Sequence, residues 1–110
     1  IGAIYDINNM CMDAFETFRI GMELLGPYLQ HVHAGGHTPA VKGRRPDGSV
    51  EWGWDRCNLQ DGLMDVGRFM ADLKAVRYDG FISIEDFRPM DHEAKLRPQV
   101  EFLKRLYAGA

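Results

Sequence analysis

The sequence lacks any run of about 18 apolar residues, the minimum for a membrane-spanning helix, so no membrane partner is expected. It also lacks a basic excess. The formal net charge is −3, whereas a protein that grips a phosphate backbone carries a basic stripe, so no nucleic-acid partner is expected either. Cysteine is scarce, and the spacing of Cys11 and Cys57 fits neither a metal knuckle nor a redox pair. Such cysteines suit free thiols better than a disulfide, which points to a cytoplasmic protein. Repeats of fixed period and low-complexity tracts are missing too. With 45% apolar and 26% charged residues, the chain falls outside the disordered and fibrous classes. It opens at Ile1, inside an apolar run, with no initiator Met, signal peptide or capping turn before it. That opening leads to the expectation that residues 1–110 are the C-terminal part of a single longer domain.

What is present alternates in type. Ile1 to Asp6 is a short apolar run bounded by the turn-like Asn8-Asn9, and it predicts a buried strand. Asp13, with Glu16 three residues on, resembles a helix-starting capping box, and Phe15, Phe18, Met22 and Leu25 give that helix an apolar stripe. Gly26-Pro27 stops it. A second strand is predicted near 29–34, ending at Gly35-Gly36. From His37 to about Gly62 the chain is polar, with a turn signal at Pro46-Asp47-Gly48 and the pair Trp52 and Trp54. A connection that long without helical pattern is expected to be a functional loop or a lid. Asp65 then caps a helix with Val66, Phe69, Met70 and Leu73 on one face, and Phe81 to Glu85 predicts a third strand. A last helix is predicted from about Asp91, burying Leu96, Val100, Leu103 and Tyr107, with a break or kink at Pro98.

Strand followed by helix, three times over, predicts right-handed βαβ units in a parallel sheet, so the fold class is α/β. Three parallel strands alone would leave both edges unpaired. The missing strands are expected from the rest of the chain or from a second copy.

The chemistry sits at the strand ends. The first strand ends in Asp6, the second in His31-Val32-His33 and the third in Glu85-Asp86. Active sites of parallel α/β folds lie at the carboxyl ends of strands, so Asp6, His33 and Glu85 are aimed at one small volume. Alternation agrees: Gly2, Ile4 and Asp6 share a face, as do Leu29, His31 and His33, and as do Phe81, Ser83 and Glu85. Two carboxylates and an imidazole at close quarters repel and desolvate one another unless a cation joins them. That donor set suits one divalent ion, manganese, magnesium or cobalt rather than zinc. Each residue alone has an ordinary reading, as a turn, cap, core or solvated side chain; the coincidence at three consecutive strands carries the ligand reading.

Ile1 to Asn9, His31-Val32-His33-Ala34-Gly35-Gly36 and Tyr78 to Glu85 together resemble the last three strands of the xylose-isomerase-like TIM barrels. The likeness is to the sugar-phosphate isomerase/epimerase group, relatives of the ketose 3-epimerases. It implies that the chain is a partial barrel, the last three βα units of a (β/α)8 TIM barrel. It also implies Asp6, His33 and Glu85 as metal ligands, with a fourth, a Glu, on the strand before residue 1. By the same resemblance Glu85 is the catalytic residue for proton transfer, in a metal-stabilised enediolate mechanism of carbohydrate metabolism. The substrate implied is a sugar or related polyhydroxy carbonyl compound, and a homo-oligomer is compatible with the family. Asn9 stands where the 3-epimerases carry a substrate-contacting His, and Pro39 where they carry an Arg, two departures from that subclass.

Further candidates surround the three ligands. Asn9, His37 and Arg88 are expected to contact substrate, with His37 equally readable as an exposed loop residue. Arg44-Arg45 read as a solvated charge run before a phosphate clamp, Trp52 and Trp54 as a sugar platform or a subunit contact, and His31 as a core or supporting residue. Three alternatives compete. A metal-dependent AP-endonuclease-like enzyme of the same superfamily would need more His ligands and a basic groove. A flavodoxin-like regulatory domain would need an acidic pair after the first strand and a Lys at a later strand end. A catalytically silent family member would bind a ligand or partner only.

Overall fold

The computed structural model describes residues 1–13 and 17–110. In chain order it has strand β1 (Ala3–Asp6), helices α1 (Ile7–Asp13) and α2 (Phe18–Leu25), and strand β2 (Leu29–Ala34). Strands β3 (Gly36–Arg44) and β4 (Val50–Cys57) follow, then helix α3 (Val66–Ala75), strand β5 (Ile82–Ile84) and helix α4 (His92–Gly109). Strands β1, β2 and β5 lie side by side in that order, both pairings parallel. The protein is a mixed α/β structure built on a parallel sheet, as the alternation predicts, and all three strands fall within the predicted spans.

Packing follows the two periodicities. Tyr5, Val32 and Ala34 of the sheet are buried, and Ile82 and Ile84 pack beside them against the helices. Phe69 of α3 is fully buried at the centre, stacked on Tyr5 at 6.1 Å and meeting Phe18 edge-on at 5.3 Å. Met22 and Leu25 of α2, and Val66, Met70 and Leu73 of α3, complete this layer. Asp65 caps α3 by accepting the Arg68 N–H at 2.9 Å, and Asp91 caps α4 by accepting the Ala94 N–H at 2.8 Å. The opposite face of the sheet is uncovered, with Ile4 and Phe81 exposed on it.

Five expectations are corrected. Asn8-Asn9 is the first turn of α1 rather than a bounding turn, because the Asp6 carboxylate accepts the N–H groups of both, at 2.9 and 3.2 Å. Asp13 therefore closes α1, while α2 has Thr17 at its N-cap, without a side-chain bond. Phe15 and the capping-box partner Glu16 lie outside the described residues. The stretch from His37 onward is an antiparallel hairpin, not an irregular loop. Its turn is the predicted one: the Gly48 N–H donates to the Arg45 carbonyl at 2.9 Å, Gly48 has φ 87°, and Asp47 accepts the Ser49 N–H at 2.9 Å.

The other two corrections concern α4. It runs unbroken across Pro98, although proline there removes the bond to the Ala94 carbonyl. Side chains on either side of the proline tie the helix down. Lys95 Nζ donates to the carbonyls of Asp86 and Arg88 at 2.6 and 2.8 Å. Fully buried Gln99 accepts the Leu59 N–H and donates to Asp86 and to the Lys95 carbonyl, each at 3.0 Å. These anchors rotate the helix, so that Lys95, Gln99 and Leu103 are its buried residues. Of the predicted buried face only Leu103 is fully enclosed. Leu96, Val100 and Tyr107 instead line an open apolar groove of about 610 Å³ beside Phe81, Ile82 and Ile84.

Gln99 is thus expected to be critical for stability. Replacing it by Leu leaves the buried Leu59 N–H without an acceptor and removes a donor from Asp86, at a cost of roughly 2–3 kcal/mol. Urea denaturation measures this directly. A loss under about 1 kcal/mol would mean that the polar spine does not hold α4 in place.

Candidate metal centre

The sheet register assembles the site. Asp6 lies opposite His33, and His33 opposite Ser83. The Glu85 N–H donates to the Ala34 carbonyl at 2.8 Å, carrying the β2–β5 pairing past the end of β5. Strand alternation then sends the side chains of Asp6, His33 and Glu85 to the face away from the helices. His33 Nδ1 is 3.0 Å from Glu85 Oε1 and 4.0 Å from Asp6 Oδ2. One ligand atom from each residue lies within 4.8 Å of the other two.

Asp6 has a divided role. Its Oδ1 caps α1, which fixes the carboxylate plane and leaves Oδ2 toward His33. The imidazole Nδ1 can donate a single proton, so it satisfies one carboxylate at most and leaves the other facing a like charge. A divalent cation resolves that conflict. The chemistry of the donor set, two hard oxygens and one imidazole nitrogen, fits such an ion. All three side chains are partly exposed, so an ion held by them would keep positions open on the solvent side.

Two features hold this geometry. Gly35 follows β2, and a Cβ there would meet Asn8 Nδ2 at 2.5 Å and the Glu85 carbonyl at 2.7 Å. Glycine is what lets the three strand ends close up. The second feature is a polar cluster after β5. Asp86, its side chain almost wholly buried, accepts from Arg88 Nε at 3.0 Å and from Arg88 NH2 at 2.6 Å, and Arg88 NH2 also donates to Asn58 at 2.6 Å. The hydrogen bonds from Arg88 hold the Asp86 carboxyl far below the ordinary carboxylate range against the cost of burial. The same contact raises the Arg88 pKa.

The remaining predicted residues are placed as follows. His31 lies one step deeper on the ligand face, with Nε2 2.7 Å from Ser83 Oγ and its ring edge-on to that of His33 at 5.1 Å. Asn9 is exposed beside Asp6, to which its backbone donates. His37 opens β3 at the rim of the site. Burial and then the Arg56 cation lower its pKa, while Asp6 and Asp86 act in the opposite sense. Its Nδ1 is buried without a partner among the described residues, as is Asn8 Oδ1. Arg88 stands at the site but commits its guanidinium to Asp86 and Asn58. Arg44 and Arg45 brace the far turn of the hairpin through the carbonyls of Gly48 and Val50.

Asn8, Gly35 and the Asp86–Gln99 cluster escape a reading of sequence. The available signals were the pair of glycines directly after a strand and a Gln lying off the apolar stripe. A family model described as xylose isomerase-like TIM barrel matches residues 1–106. No curated protein matches the chain.

Substituting Gly35 by Ala forces apart backbone and amide groups that have nowhere to retreat. The expected cost is about 1–3 kcal/mol, the usual range for overpacking a tight site. Thermal unfolding is the measurement, and a variant as stable as the parent would show that the strand ends have slack.

Proposed function

This chain belongs to the xylose isomerase-like TIM barrel family, and from that premise we propose that the intact protein is a divalent-metal-dependent isomerase or epimerase of a sugar or related polyhydroxy carbonyl compound. The family holds both sugar isomerases and epimerases and AP-endonuclease-like enzymes, and it often uses divalent metals. The observation that carries the proposal is the convergence of Asp6, His33 and Glu85 at three adjacent strand ends. In the intact protein these are the last three βα units of the barrel, and the uncovered inner face of the sheet lines its interior.

Asp6 Oδ2, His33 Nδ1 and Glu85 would hold the ion. When bound there, a divalent ion polarises a carbonyl and its neighbouring hydroxyl and so acidifies the hydrogen on the adjoining carbon. Glu85 is the base: one oxygen faces the cluster while the other is available to take a carbon-bound proton, and backbone pairing to Ala34 fixes where it can reach. Asp6 orients by its cap and does not move a proton. Half-buried His37 and exposed Asn9 are the substrate-facing groups at the rim. Arg88 positions the loop after Glu85. A base of opposite facing, supplied by an earlier strand, would return the proton to the other face or to the neighbouring carbon.

The AP-endonuclease-like reading fits less well. His33 is the sole His in the cluster found among the described residues, and His31 is bonded to Ser83. The net charge of −3 also disfavours a duplex groove.

Glu85→Gln keeps the shape but removes the base, so turnover should fall by roughly a hundredfold or more. Chelation should abolish activity and added Mn²⁺ restore it. In heavy water the product should carry deuterium at the reacting carbon, because a glutamate proton exchanges with solvent. An intact, metal-loaded protein that exchanges no carbon-bound hydrogen across a panel of ketoses, cyclitols and hydroxy acids would leave the silent family member as the better account.

A further inference from the structure

The β3–β4 hairpin has one face that leads outward from the metal centre. His37 pairs with Arg56, Pro39 with Trp54, and Val41 with Trp52. Alternation places these six side chains together. The opposite face carries the Lys42–Asp55 ion pair, and Lys42 also covers Gly53 there. At the base, His37 lies within reach of the charges of Asp6 and Asp86, and the Arg56 guanidinium stacks 4.6 Å from the centre of the Phe87 ring. Further out the face is bare: Trp54 is 37% exposed, Val41 57% and Trp52 66%.

Trp54, Val41 and Trp52 form one contiguous exposed apolar strip, and such strips rimmed by polar residues mark ligand or partner contacts. Taken alone, the face offers six residues against about 20–30 a side for a stable protein interface, a size that suits a small ligand. Its shape is a narrow aromatic track with polar ends. At roughly 3.3 Å per residue, the Trp54 rung lies about 7 Å and the Trp52 rung about 13 Å beyond His37. The two indole rungs are thus about one sugar ring apart, so a compound of two rings can meet both.

We infer that this face is a sugar-ring subsite, on which Trp54 and then Trp52 stack against a glycosyl unit joined to the carbonyl compound held at Asp6, His33 and Glu85. It rests on the isomerase reading for the inner unit and narrows the substrate class to glycosylated polyhydroxy carbonyl compounds. A pyranose offers a flat C–H face to an indole and hydroxyls around its edge to water, Arg56 and His37. The aromatic face supplies apolar contact without demanding a particular hydroxyl pattern.

The test titrates the full-length, Mn²⁺-loaded protein with maltose, cellobiose and glucose while following indole emission and heat of binding. A disaccharide should shift the emission and bind about tenfold tighter than glucose. Trp54→Ala and Trp52→Ala should each lose about tenfold in disaccharide affinity with Mn²⁺ affinity unchanged. Lys42→Ala, on the opposite face, should bind as the parent does. Emission unmoved by both disaccharides overturns the inference, as does undiminished disaccharide binding by Trp54→Ala. So does a Trp54→Ala protein whose single change is loss of a dimer in sedimentation, which would make the face a contact between copies. The two readings fail separately. Stacking without carbon-hydrogen exchange keeps the subsite and sinks the isomerase, and turnover of small ketoses with silent tryptophans does the reverse.

Discussion

The site depends on one register. With Asp6 opposite His33 and Glu85 continuing the β2–β5 pairing, the three side chains of the candidate metal centre reach the same face at the same height. A slip of one residue in β2 would send His33 into the helix layer and expel Val32 and Ala34 into water. Both of those residues are fully buried. The energy that fixes the ligands is therefore apolar burial on the opposite side of the sheet, against Phe69 and Leu73. Polar residues at the strand ends contribute little to choosing the register; they are carried into place by it.

A second set of contacts fixes the loop that leaves Glu85. Asp86, Arg88, Asn58, Lys95 and Gln99 join the end of β5, the exit of the hairpin and the first turns of α4. Burying charge is expensive unless every polar group finds a partner. Here the carboxylate, the guanidinium, the ammonium and the amide all do, which ties three segments to a point one residue from Glu85. Glu85 is thus gripped from both sides, by Ala34 through its own N–H and by Asp86 through the chain. The cation–aromatic contact of Arg56 with Phe87 adds the root of the hairpin to the same assembly. The hairpin and the loop after Glu85 therefore sit in a fixed relation, and the hairpin face is continuous with the cluster rather than merely beside it.

What could be read from sequence divides along physical lines. Strands and apolar stripes that bury a continuous face were legible, because periodicity reports burial: Val66, Phe69, Met70 and Leu73 needed nothing else. The meeting of Asp6, His33 and Glu85 at one point was legible because a parallel sheet brings the ends of adjacent strands together. The hairpin was passed over although Val50, Trp52 and Trp54 alternate as strand residues do, because its other strand, Gly36–Arg44, is largely polar and exposed and carries no matching run; the turn at Gly48 was the other signal present. Asn8-Asn9 misled because a helix directly after a strand is announced by Asp6, which was read for its place at a strand end and not as a helix cap. The face of α4 was misassigned for a related reason. Hydrophobicity pointed to Leu96, Val100 and Tyr107, whereas the rotation is set by hydrogen bonds of Lys95 and Gln99 that no hydropathy pattern encodes.

That misassignment is informative in itself. Leu96, Val100 and Tyr107 are not polar residues at a surface but an apolar stripe beside an open groove, next to the exposed edge of β5. Ile4 and Phe81 are bare in the same way on the inner face of the sheet. The layer between sheet and helices, by contrast, is filled. In the barrel proposed above, further βα units would cover the first two surfaces without entering the third. The α1 cap, Gly35 and the Asp86 cluster, which orient Asp6, His33 and Glu85, lie among the described residues. The neighbours would then add enclosure, a further donor and the opposing base to a ligand set already held in shape, which is the order of dependence expected when preorganisation resides in a scaffold and reactivity in what it meets.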